Sequence, residues 1–265
     1  MPIIPKFQTR RLSQEEFGKI AYEVMNQVFS IHNEMGRFFD EKNYQHELAA
    51  RFPHVTLEGQ VNGQVNVVYE NFTKRYYADV IVGEGSLFEF KAAGSIHKQH
   101  ESQAIHYLHL LDLAHGKIIN IRPEQVESKF VNCSQRLDDL KNPEIVTESF
   151  IAKDVGSKAF RDVLVKLIQD WGTGLELKLY EGALVHFLGG DREVCQKSRV
   201  IGSRGDVGFH SMNYISHDEV FWLTSFPRPS RTFETHARRL LKHTDFKVIQ
   251  WANINSKTVV YTTIS

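Results

Sequence analysis

Ser86-Leu87-Phe88-Glu89-Phe90-Lys91-Ala92-Ala93 is an apolar run with one acid and one amine set into it. In a strand the side chains alternate, so Glu89 and Lys91 share one face while Phe88, Phe90 and Ala92 share the other. Charges on such a partly buried face are costly unless they pair or bind a metal. The preceding run, Tyr76-Tyr77-Ala78-Asp79-Val80-Ile81-Val82, reads as a second strand with a single acid. A short turn at Gly83–Gly85 joins the two, which places Asp79 beside Glu89. Two carboxylates and a backbone carbonyl make an oxygen cage suited to Mg²⁺ or Mn²⁺. A metal held there lowers the pKa of a bound water, and a neighbouring ammonium orients that water and offsets developing charge. The competing reading is a plain cross-strand ion pair or a solvated face, since Glu-x-Lys alone suits those equally.

The flanking sequence supplies a frame. Gln14 to about Arg51 reads as two helices, with Ser13 as N-cap, apolar Ile20, Val24, Val28 and Ile31 at helical spacing, and a break at Met35-Gly36. Alternation near Val55–Gln60, Val65–Tyr69, Tyr76–Val82 and Ser86–Ala92 predicts strands, with turns at Asn62-Gly63, Glu70-Asn71 and Glu84-Gly85. A helix follows from His100 to Ala114, then a short strand from Lys117 to Ile121. This order predicts an α/β domain with a mixed sheet.

The segment from about Phe17 to Val131 resembles the GxxExxY proteins, a branch of the PD-(D/E)XK nuclease superfamily. The likeness runs through Val28-Phe29-Ser30-Ile31-His32-Asn33-Glu34-Met35-Gly36 and Glu41-Lys42-Asn43-Tyr44. It continues through the Asp79 strand, the Glu89-x-Lys91 strand, the helix with Gln103 and Tyr107, and the strand at Gly116 to Asn120. Phe38 stands where the pattern has Gly. The resemblance implies a restriction-endonuclease-like mixed sheet flanked by helices and metal-dependent hydrolysis of DNA or RNA. It implies that Asp79, Glu89, the Phe90 carbonyl and Glu47 hold the metal, that Lys91 assists the attacking water, and that Gln103 braces the site. Tyr44 is read as packing, and Glu41 is left open between a site wall and packing.

The rest of the chain reads as a second pass through the same plan. At an offset of 133 residues, Leu87-Phe88 falls on Val220-Phe221 and Asn120-Ile121 on Asn253-Ile254; at a slightly larger offset, Tyr44 falls on Tyr180. The candidate site is lost in the process. Asp79 falls on Met212, Glu89 on Trp222, Lys91 on Thr224, Gln103 on His236 and Glu47 on Ala183. The expectation is a duplicated chain: residues 1–130 a nuclease-like domain, 131–156 a linker, and 157–265 a degenerate copy without the metal site.

Composition constrains the partners. Lys plus Arg and Asp plus Glu both total 32, so any surface for a polyanion is a local patch. Arg238, Arg239 and Lys242 lie in the most basic stretch and suit contacts to substrate phosphates; a solvated helix face is the alternative. His106-x-x-His109 has zinc spacing, but with no further ligand set an exposed helix face is preferred. Two cysteines, Cys133 and Cys195, argue against a disulfide scaffold. No apolar run has signal-peptide or membrane-spanning length, so the expectation is a cytoplasmic protein with no membrane partner. Two rival functions stand beside the nuclease. One is a non-catalytic nucleic-acid-binding module, and the other an interaction protein whose second half forms a homodimer.

Overall fold

A computed structural model of the protein describes residues 3–52, 55–57 and 63–265. The chain divides into two compact units, Met1–Leu137 and Asp138–Ser265. The first unit runs β1 (Ile3–Pro5), α1 (Gln14–Met35), α2 (Glu41–Arg51), β2 (Val55–Leu57), β3 (Gln64–Tyr69), β4 (Phe72–Tyr77), β5 (Val80–Val82) and β6 (Ser86–Lys91). Helix α3 (Lys98–Leu110) then crosses to β7 (His115–Asn120), and β8 (Glu127–Asn132) closes the unit. The main sheet has the order β2-β5-β6-β7-β8, with β6 and β7 parallel and the other pairs antiparallel; β1-β3-β4 form a separate small sheet.

Helix α1 begins at Ser13, whose hydroxyl and the Glu16 carboxylate cap one another's backbone amides. Its apolar stripe of Phe17, Val24, Val28 and Ile31 packs on Val80, Val82, Phe88, Phe90, Ile119 and Ile121. All six residues of β6 are buried, as expected of a strand covered on both faces. The α1 stripe takes the Phe88 and Phe90 side, which leaves Glu89 and Lys91 on the other.

Two expectations change. The run Tyr76–Val82 is two strands of two sheets rather than one. The Ala78 N–H donates to the Gly63 carbonyl at the end of β4, and Val80 then pairs with Phe88. Asp79 therefore sits at the crossover. The expected linker 131–156 instead contains the end of β8 and a strand, β9 (Glu144–Ser149), which pairs parallel to β14 (Thr258–Ile264). Its residues are mostly exposed and polar, so it has no hydrophobic pattern to read. Of the strand expected at Val55–Gln60, residues 58–60 lie outside the described residues, as does Asn62 of the expected turn.

In the second unit β9 is followed by α4 (Val155–Trp171), α5 (Leu177–Phe187), α6 (Asp191–Val194), β10 (Cys195–Gly202), β11 (Gly205–Ser216) and β12 (Glu219–Thr224). Helix α7 (Arg231–Leu241) then leads to β13 (Val248–Ile254) and β14, in a sheet of order β10-β11-β12-β13-β14-β9. Several local devices occur in both units. Leu87 pairs with Gly116 and Val220 with Ile249, in each case across a parallel pair and a helix and 29 residues apart. The Asn120 side chain accepts from the Ala93 N–H and donates to the Ala93 carbonyl, and Asn253 does the same with Phe226. Gly36 (φ 75°) and Gly172 (φ 83°) end α1 and α4, and their carbonyls accept from the Tyr44 and Tyr180 hydroxyls. The positive φ is why both positions are glycine.

Candidate active site

The crossover between the two sheets aims Asp79 at β6. Its Oδ2 accepts the Phe90 N–H at 2.9 Å. Glu89 is 0 % exposed, and its Oε2 takes a hydrogen bond from Lys91 Nζ at 3.1 Å. The same ammonium lies 3.8 Å from Asp79 Oδ2, with Asp79 7 % and Lys91 8 % exposed. Three charged groups thus converge in a nearly dry pocket of the sheet face. Burial pulls the Lys91 pKa down, but the charges of Glu89 and Asp79, the hydrogen bond to Glu89 and the charge of Glu41 outweigh it and hold the ammonium protonated.

The chain start of α2 brings a further acid. Glu41 Oε1 accepts the Ala92 N–H at 2.6 Å, next to Lys91. Its role was open in the sequence, and only the docking of α2 against the end of β6 reveals it. His100, at the start of α3, also lies within the field of this group: burial first, then the positive charges of Lys91 and His97, lower its pKa. Gln103 follows one turn later on the same face of α3, partly buried.

Glu47 does not join them. Six residues beyond Glu41, it stands roughly 240° further round the helix. Its carboxylate is held by Arg51 at 2.8 Å, and Arg51 also pairs with Glu34 at 2.8 Å. The expected metal role of Glu47 is therefore replaced by a surface ion network between α1 and α2.

The histidine pair is corrected as well. His106 is buried, with its ring edge on Tyr76 at 4.6 Å, and desolvation lowers its pKa to about 3. His109 lies 3.5 Å from the Cys133 sulfur. Among the described residues no three His, Cys, Asp or Glu side chains form a metal-binding group. Arg238 and Arg239 on α7 and Lys242 at its C-terminal cap are exposed in the second unit, where the Arg238 guanidinium bonds the Ser265 carbonyl. No helix among the described residues is long and apolar enough to cross a membrane.

The first unit thus has a mixed sheet with one parallel pair, an acid at its crossover and Glu-x-Lys on its central strand. Residues 18–132 match the family model of the PD-(D/E)XK nuclease superfamily. No curated protein and no solved structure matches the chain.

Proposed function

We propose that the first unit is a divalent-metal-dependent nuclease of the GxxExxY type, hydrolysing phosphodiester bonds at Asp79, Glu89 and Lys91. The observation that carries this reading is the Lys91 ammonium held 3.1 Å from one buried carboxylate and 3.8 Å from another. Burying three charges opposes folding, so a purely structural role is poorly served by them. The donor set fits Mg²⁺ or Mn²⁺. Asp79, Glu89 and the Phe90 carbonyl are hard oxygen donors, and Mg²⁺ is commonly bound by one or two carboxylates with water and substrate completing its shell. A zinc site would need more nitrogen or sulfur ligands.

When bound, the metal supplies a water of lowered pKa and polarises a phosphoryl oxygen. The protein does the positioning. The Phe90 N–H fixes the Asp79 carboxylate, and Lys91, kept as ammonium, donates hydrogen bonds towards the attacking water and the charge that grows on the phosphoryl group. Glu41 takes the place that Glu47 was expected to hold, and Gln103 braces the site from α3. Arg238, Arg239 and Lys242 serve as phosphate contacts. The second unit is a degenerate copy, a reading supported by the shared register and Asn clamps, and the protein acts in the cytoplasm.

Cleavage of labelled DNA and RNA with Mg²⁺ or Mn²⁺ tests this. Lys91→Ala and Glu89→Ala are each expected to lose at least about 100-fold in rate, with far-UV circular dichroism retained. Undiminished cleavage in both variants would defeat the proposal. A second reading, a non-catalytic nucleic-acid-binding module, is favoured by the exposed basic face of α7. It requires salt-sensitive binding without cleavage, with a salt slope that falls by about 1 to 2 in Arg239→Ala plus Lys242→Ala.

A further inference from the structure

The link from α1 to α2 leaves two aromatic rings in water beside the candidate site. Phe38 is 78 % exposed and Phe39 48 %. The Arg37 guanidinium lies over the Phe38 ring, 5.3 Å from its centroid, and the Phe39 ring meets Tyr44 edge-on at 6.4 Å.

This link is tied down at several points. The Gly36 carbonyl accepts the Tyr44 hydroxyl at 2.6 Å, and the Arg37 carbonyl accepts from Arg122 at 3.2 Å. Both far anchors reach the backbone at the candidate site. Glu41 takes the Ala92 N–H at 2.6 Å, and Ile121, next to Arg122, donates its N–H to the Lys91 carbonyl at 2.9 Å. Phe38 is three residues from Glu41, hence within roughly 10 Å of it along the chain. An ordered pair of rings, flanked by Arg37 and Arg122, therefore borders the site. The second unit offers a control. Its link has the same glycine and tyrosine ends, yet Gly174 and Leu175 stand at the positions of Phe38 and Phe39, and Leu175 is 6 % exposed. Exposed aromatics are not what this connection requires.

Exposed rings with a neighbouring guanidinium are the parts of a stacking platform for nucleobases. Duplex bases are already stacked on one another and present only their edges, so such a platform engages bases that are unpaired. We infer that Phe38 and Phe39, with Arg37, stack the bases of a single strand, and that the Lys91 site acts on single-stranded or frayed nucleic acid. This rests on the nuclease reading of that site.

Binding is measured by fluorescence anisotropy on the full chain in chelator, with a labelled 20-mer oligonucleotide, single-stranded or annealed. The single strand is expected to bind more tightly than the duplex. Phe38→Ala and Phe39→Ala should each weaken single-strand binding by about 5- to 100-fold and leave duplex binding unchanged. The salt slope should stay as it was, because the rings carry no charge, and Phe38→Trp should restore affinity. Single-strand affinity within twofold of wild type in both alanine variants overturns the platform; if metal-dependent cleavage persists, the nuclease reading survives that result. Ring-dependent single-strand binding by a wild-type chain that never cleaves would overturn the nuclease reading and keep the platform.

Discussion

In the first unit, the β6 face that meets α3 carries Glu89 and Lys91 beside Asp79. In the second, the β12 face that meets α7 carries Trp222 and Thr224 beside Met212. There Thr224 donates to Asn253 and accepts the Trp251 indole N–H, each at 2.8 Å. The Phe233 ring lies 5.3 Å from Trp222 and 4.5 Å from Trp251, in a cluster with Met212, Ala237 and Leu240. Both faces are built on the same strand register, so the fold itself does not ask for charge at these positions. An aromatic filling satisfies it. The difference teaches that the first unit carries its buried acids and amine against the preference of its own frame.

The largest expected effect follows from that opposition. Lys91→Met strands a fully buried Glu89 without its ammonium, and should destabilise the first unit by about 3–5 kcal/mol. Adding Glu89→Leu should recover much of the loss, while cleavage stays absent. Thr224→Val, in contrast, removes only neutral hydrogen bonds and should cost the second unit about 1–3 kcal/mol. Hydrogen exchange read on peptides of each unit measures these separately, and tryptophan emission reports the second alone, since Trp171, Trp222 and Trp251 all lie there. If Lys91→Met proves as mild as Thr224→Val, the charges on the β6 face are not costly and the contrast fails.

Acid provides the next test. His106 is buried against Tyr76, whereas the residue at the same offset in the second unit, Arg239, is exposed. With its folded pKa at about 3, His106 stays neutral in the folded state where the unfolded chain takes up a proton. Its contribution is complete above the unfolded pKa of about 6.5. It then declines by about 1.4 kcal/mol per pH unit as the pH falls towards 3. The first unit's denaturation midpoint should track this window, and His106→Phe should flatten the difference between pH 6.5 and 4. An unchanged slope in His106→Phe would mean that the ring is not held neutral by burial.

Much of this contrast was legible in the sequence, because alternation is a local signal. The two faces of β6 and the helix ends at Ser13 and Gly36 follow from spacing, and so does the offset that sets Trp222 and Thr224 against Glu89 and Lys91. What was missed depends on docking. The strand break at Ala78–Asp79 arises because β4 and β5 join different sheets, a choice that no period-2 pattern encodes. Glu41 reaches Ala92 only because α2 packs against β6, and the same helix geometry turns Glu47 away to Arg51. The polar appearance of the segment from His97 to His109 hid His106, which is buried on α3 together with Ala104, Tyr107, Leu108 and Leu110. Strand β9 was unreadable since an exposed edge strand, Glu-Ile-Val-Thr-Glu-Ser, is held by backbone pairing rather than by a buried face.

Two smaller effects probe the shared frame rather than the difference. Asn120→Ala and Asn253→Ala each free a backbone N–H and a carbonyl next to a buried strand end, and should cost about 1–3 kcal/mol apiece, matched within error. A loss confined to Asn120 would tie that clamp to the site instead of the fold.

The tyrosine clamps should differ, and in a stated direction. Tyr44 and Tyr180 both close a helix-to-helix link by donating to a glycine carbonyl eight residues back. Gly36 is exposed, so in Tyr44→Phe water can reach the released carbonyl and the loss should be about 0.5 kcal/mol. Gly172 is buried, and burial also pushes the Tyr180 phenol up, keeping it a donor at any pH the fold tolerates. Tyr180→Phe leaves a dry carbonyl without its partner and should cost about 1–2 kcal/mol. Equilibrium urea unfolding, followed by tryptophan emission for the second unit and by hydrogen exchange for the first, resolves the order. Tyr44→Phe emerging as the costlier change would show that the α1–α2 link is the more sheltered of the two, and would count against the open, aromatic border drawn for the first unit.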